Sequence, residues 1–177
     1  MSKYTHLLSF DLTSYGAALA IINRFVDGDI VRDFELSPTG AEAQLILLSQ
    51  DPIALQVIKT ESQSLMGSQI LASALIENLH EELLPTYLSQ SKASLQKCLT
   101  VLEFSTLSQG LAAAQSLLAS GASLVDFRVV RTSPKNVIIT ATSGSADAFD
   151  FLNLSPMKRT VMTDLQPSLK SYYEILK

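Results

Sequence analysis

The chain has 177 residues, with thirteen Lys and Arg against seventeen Asp and Glu for a net charge of −4, so it lacks the basic excess that a nucleic-acid surface requires. Hydrophobic residues make up 47% and charged residues only 17%, so the core can be large but few charges are left to cover it. Apolar surface left over after folding is commonly buried against other subunits, which points to an oligomer.

The predicted elements begin with a short strand over His6–Leu12, too brief and too soon broken by Asp11 to be a membrane span; no signal peptide is evident at Met1–His6. Thr13 or Ser14 opens a helix whose apolar stripe includes Ala17, Ile21 and Phe25, and Gly28 stands where it stops. Two strands follow, Ile30–Leu36 and Gln44–Leu48, joined through the turn residues Ser37-Pro38-Thr39-Gly40. A second helix runs from Asp51 to about Leu65, and a closing strand covers Ala74–Glu77.

The order then repeats. A strand over Cys98–Phe104 leads through Ser105 or Thr106 into a helix with the stripe Leu107, Leu111, Ala114, Leu117 and Leu118, ended by Gly121. Strands Leu124–Val130 and Asn136–Thr140 flank Thr132-Ser133-Pro134-Lys135, a helix is expected from Ser145 to about Leu154, and a strand over Thr160–Thr163. Leu7 meets Leu99, Phe10 meets Leu102 and Asp11 meets Glu103 at one offset; Asp33-Phe34 falls on Asp126-Phe127 at an offset one longer, Pro38 lies near Pro134, and Leu79 falls on Leu165. Repeats are sought first because they decide the architecture. The expected fold class is α+β: two tandem ferredoxin-like β-α-β-β-α-β domains with antiparallel sheets, residues 1–90 and 91–177.

Signs of enzymatic chemistry are sparse. His6, His80 and Cys98 lack metal-ligand spacing, and neither a Walker loop nor a G-x-G-x-x-G occurs. One cysteine excludes an intramolecular disulfide, so Cys98 reads as a small buried hydrophobe in a reducing, cytoplasmic setting. Asp11 and Glu103, at strand ends, read as helix-start charges favouring the dipole rather than as a catalytic pair. His80 reads as an exposed tail residue. No catalytic residue, metal or cofactor is expected.

The segment Ala74-Leu75-Ile76-Glu77-Asn78-Leu79-His80-Glu81 resembles the closing strand and tail of bacterial microcompartment (BMC) shell domains, which end in an Ile-Pro-x-Pro-His-Glu-type run; Glu77 and Leu79 stand in place of the prolines. Val161-Met162-Thr163-Asp164-Leu165-Gln166-Pro167-Ser168-Leu169 occupies the matching place in the second half. Leu102-Glu103-Phe104-Ser105-Thr106 is similar to the family's apolar-Glu-Thr start before an Ala-rich helix. Two such domains resemble the tandem shell proteins, whose trimers imitate a hexamer.

That resemblance implies a structural, self-assembling homotrimer with a central pore for small metabolites, and other shell proteins as neighbours. The pore would be lined by Ser37, Pro38, Thr39 and Gly40 with Thr132, Ser133, Pro134 and Lys135. The family's edge lysine has its nearest counterpart in Arg24, which keeps the charge but not the compact ammonium. In the second half Leu117, Leu118 or Ala119 takes that place. The competing class is a tandem ACT-like ligand-sensing regulator, with its ligand at an inter-domain interface. Neither nucleic acid nor membrane is expected as a partner.

Overall fold

The computed structural model describes residues 5–28, 30–131, 136–150 and 155–175. The first sheet is built from β1 (His6–Leu12), β2 (Val31–Thr39), β3 (Glu42–Ser49) and β4 (Ile70–Ile76), with helices α1 (Tyr15–Phe25) and α2 (Pro52–Met66) between them. Its strand order is β2-β3-β1-β4 and every pairing is antiparallel. After α3 (Leu83–Tyr87), the second sheet uses β5 (Cys98–Phe104), β6 (Ser123–Val130), β7 (Asn136–Ser143) and β8 (Lys158–Met162) in the order β6-β7-β5-β8. The helices α4 (Leu107–Ala119) and α5 (Pro167–Ile175) complete it. The fold is therefore α+β with two similar ferredoxin-like halves, as the repeat predicts.

Registers make the repeat quantitative. His6 pairs with Ser49 as Cys98 pairs with Ser143, and Leu7 pairs with Ile76 as Leu99 pairs with Met162. One landmark does not survive. Asp33 and Phe34 pair with Leu48 and Leu47, whereas Asp126 and Phe127 pair with Thr140 and Ile139, which correspond to Ile46 and Leu45. Phe127 thus occupies the place of Leu36, not of Phe34. Its burial agrees, since Phe127 is buried and Phe34 is exposed. Each strand carries a bulge, between Val31 and Asp33 and between Leu124 and Asp126, and bulges let identical dipeptides drift out of step.

Local chemistry explains the helix ends. The Ser14 hydroxyl accepts the Ala17 amide and so caps α1. Asp51 accepts the Ile53 and Ala54 amides at the start of α2, with Pro52 at its first position, where a missing N–H costs nothing. Helix α4 ends on Gly121 at φ +85, with the Gly121 and Ala122 amides donating to the Leu118 and Leu117 carbonyls.

Three expectations need correction. Ser37, Pro38 and Thr39 are not turn residues: they form the end of β2, opposite Gln44, Ala43 and Glu42, and only Gly40 and Ala41 turn. Gly40 takes φ +76, the first-central-position requirement of a tight two-residue hairpin, and Pro38 is tolerated because β2 is an edge strand. The helix expected from Ser145 to Leu154 is, in its described part, a 3-10 turn over Ala146–Phe149; residues 151–154 lie outside the described residues. The closing strand of the first half starts earlier, at Ile70 rather than Ala74.

By contacts the chain forms two compact units: Met1–Leu79 with Thr106–Ala112 and Arg131–Pro134, and His80–Ser105 with Ala113–Val130 and Lys135–Lys177. The core of the first unit sets Leu8, Phe10 and Leu12 of β1 against Ala18, Ile21, Leu55 and Ile58 of α1 and α2. In the second, Leu99, Val125 and Leu165 pack with Met162 and with Leu169 and Tyr173 of α5, and the Tyr87 ring of α3 meets Phe127 edge-on at 5.5 Å.

Candidate functional site

Strand alternation turns Ser37 and Thr39 into the protein and Pro38 outward at the end of β2. Ser37 does not stand alone. Its hydroxyl donates to Glu35 Oε1 at 3.0 Å and accepts from Arg131 Nη2 at 3.1 Å, while the same guanidinium nitrogen lies 4.0 Å from Glu35 Oε1. Arg131 immediately follows β6 and precedes the second proline-containing segment. A hydroxyl, a carboxylate and a guanidinium thus form a polar cluster in which the Ser37 hydroxyl is buried and Glu35 and Arg131 stay partly open to solvent. Neither Glu35 nor Arg131 was singled out by sequence reasoning. Their signal was positional: Arg131 directly precedes Thr132, and Glu35 shares a strand face with Ser37. Thr132, Ser133, Pro134 and Lys135 lie outside the described residues.

Arg24 stands exposed in the last turn of α1, its guanidinium 5.5 Å from the Phe25 ring centre. At the place suggested for its counterpart, Leu117 and Leu118 are buried, so α4 carries no charge there.

Asp11 uses both of its carboxylate oxygens. Leu8, Phe10 and Leu12 take one face of β1, which leaves Leu7, Ser9 and Asp11 on the other. There Asp11 Oδ1 accepts the Leu107 amide at 2.9 Å and Oδ2 the Ser108 amide at 2.8 Å; Ser9 Oγ lies 3.1 Å from Ser108 Oγ. Asp11 is thus a helix-start charge, as expected, but for α4 rather than for the helix that follows it in sequence. Its counterpart Glu103 accepts from Asn136 Nδ2 at 3.3 Å and lies 3.9 Å from Lys158 Nζ.

The histidines serve the backbone. His6 Nδ1 accepts the Asn78 amide and His80 Nδ1 the Glu82 amide, each at 3.3 Å. His80 is half-buried rather than a free tail residue. Cys98 is buried. Among the described residues no three His, Cys, Asp or Glu side chains group closely enough to hold a metal ion. None of the described helices is long and apolar enough to cross a membrane.

The second unit has a cleft of about 510 Å³ between α3 and the segment before β5, bordered by Glu81, Glu82, Thr86, Ser91 and Lys92. Ser91 in its wall donates to the Leu124 carbonyl at 2.6 Å. A second hollow alongside is lined by Lys92, Asp126, Arg128 and Tyr173, and there Arg128 is paired with Asp126. Charges of both signs are engaged on its walls, so neither hollow offers a single-sign binding site.

No family model and no curated protein matches this chain. Among solved structures it is similar to a microcompartments protein from Desulfitobacterium hafniense DCB, at 14% identity and a TM-score of 0.71, over 95% of this chain and 99% of that one. An acetolactate synthase small subunit from Thermotoga maritima aligns over 91% of this chain and 98% of that one, at 11% identity and a TM-score of only 0.31. Across nearly its whole length the chain therefore shares the fold of that microcompartments protein.

Proposed function

We propose that the chain is a structural, self-assembling protein of the microcompartment shell type, without enzymatic activity or cofactor. Three copies form a pseudohexagonal disc in the cytoplasm, part of a microcompartment shell where one exists, with other shell proteins as neighbours. The segments Ser37–Gly40 and Thr132–Lys135 line a central pore for small metabolites, and Arg24 lies at the tile edge. The observation that carries this reading is the whole-length likeness in fold to the microcompartments protein, which covers both halves at once. The contact of Ser37 with Arg131 supports the pore, because it joins one candidate segment to the residue that opens the other. Sedimentation equilibrium tests the assembly. A mass of three times 19.2 kDa is expected. A monomer overturns the reading, and a dimer or tetramer favours a tandem ACT-like regulator instead.

A further inference from the structure

The two repeats have equivalent helix starts but unequal surroundings. Ser14 corresponds to Thr106, and each hydroxyl accepts the amide three residues on, of Ala17 and of Gln109. The next two equivalent amides differ. In α4 the Leu107 and Ser108 amides are taken by Asp11. In α1 the corresponding Tyr15 and Gly16 amides have no partner among the described residues, although a helix leaves its first amides unpaired unless something caps them.

The side chains repeat the asymmetry. Leu107 and Leu111 are 1% and 0% exposed, whereas their counterparts Tyr15 and Leu19 are 46% and 47% exposed. The receiving strand is asymmetric in the same sense. On β1, Ser9 and Asp11 are buried; at the same register on β5, Val101 and Glu103 are only half-buried. So the chain contains one completed strand-to-helix junction and both uncompleted halves of a second. An exposed aromatic and a leucine beside two open helix amides are one half; a half-covered valine and the Glu103 carboxylate, whose Oε2 accepts from Asn136 and lies near Lys158, are the other.

We propose that Glu103 of one copy caps α1 of a second copy, accepting the Tyr15 and Gly16 amides as Asp11 accepts those of Leu107 and Ser108. The second copy's Tyr15 and Leu19 cover the β5 face around Val101. A glutamate suits the role, since its extra methylene extends the reach and its charge opposes the positive helix end. The contact is head-to-tail: every copy offers one helix and one strand face, so copies join in a directed series that closes into a ring when the rotation allows. This inference deepens the self-assembly reading and rests on it only for the number of copies.

The test uses the full chain and two variants, Leu19→Glu on the helix side and Glu103→Arg on the strand side, each checked for native circular dichroism. Both sites are at least partly exposed, so the fold should tolerate them. Each variant alone should sediment at 19.2 kDa. Mixed in equal amounts they should give a species of twice that mass and no larger, because one intact helix and one intact face remain between two copies. Should Glu103→Arg misfold, Glu103→Gln replaces it, with the association constant expected to fall about tenfold from the loss of a charge-assisted bond. Ile53→Glu, on the exposed apolar side of α2, should keep the wild-type mass. If the wild type is oligomeric and Leu19→Glu keeps its mass, or the mixture stays at one copy, the proposed contact is wrong while the assembly stands. A monomeric wild type removes both.

Discussion

Arg131 Nη2 lies 3.1 Å from Ser37 Oγ, across 94 residues of chain, and fixes the end of β2 within the first compact unit. Its partner Glu35 is about as exposed as Arg131, which keeps the ion pair weak in water. Replacing Arg131 with Ala should therefore change stability by less than about 0.5 kcal/mol in urea denaturation. A larger loss would show that the guanidinium holds the strand ends together rather than serving a solute.

Asp11 is a different case. Its carboxylate is buried and both oxygens accept a backbone amide, so truncation strands two donors at the start of α4. Asp11→Ala should cost about 2 to 3 kcal/mol in urea denaturation, and Asp11→Asn, which keeps one acceptor, about half of that. An equal cost for both would mean that charge rather than hydrogen bonding dominates.

Gly121 ends α4 at φ +85 with nothing within 4 Å of an added Cβ, so the cost of a side chain there is purely conformational. Gly121→Ala should lower stability by about 1 kcal/mol, with an unchanged denaturant slope. Gly28 also has open space and no positive φ, and Gly28→Ala should be neutral within about 0.5 kcal/mol.

Phe10, fully buried in the core that α1 and α2 share with the first sheet, should lose about 3 to 5 kcal/mol on truncation to Ala, against less than about 0.5 for Ile53, which is exposed. Ile53 loses no packing on truncation, so the contrast isolates the core from the surface.

The sequence made the strand cores legible because β1 and β5 carry runs of apolar residues bounded by cap residues: His6–Leu12 and Cys98–Phe104 are predicted and observed over the same spans. Boundaries where polar residues enter a strand were not legible. Ser37-Pro38-Thr39 has turn chemistry, yet the hairpin needs only Gly40 and Ala41, and pairing with β3 carries the polar residues into the sheet. Asp126-Phe127 looked like a copy of Asp33-Phe34 because dipeptide identity ignores bulges. The partner of Asp11 was beyond reach for another reason: a cap supplied by a residue 96 positions away leaves no local signal. Glu35 and Arg131 gave only a positional hint, since a charge on β2 and one just past β6 meet through tertiary structure alone.

The last prediction concerns the pore. Ser37 and Thr39 are buried at the end of an edge strand, Pro38 and Gly40 beside them are exposed, and Arg131 reaches Ser37. In a three-copy disc the two proline-containing segments of each copy would alternate around the axis, six in all, and Lys135 would add a positive charge from each copy near the opening. A crystal structure of the assembly should place Thr39 and Ser133 closer to the threefold axis than Arg24, which should lie at the rim. With Lys135 turned toward the axis, small anions should pass more readily than cations of equal size, and Lys135→Gln should remove that preference in a flux assay on reconstituted layers. If Lys135 turns away, hydroxyls and backbone groups govern passage and the same substitution should leave the preference unchanged. Finding Thr39 at the rim and Arg24 near the axis would reverse both assignments, even with the fold and the trimer intact.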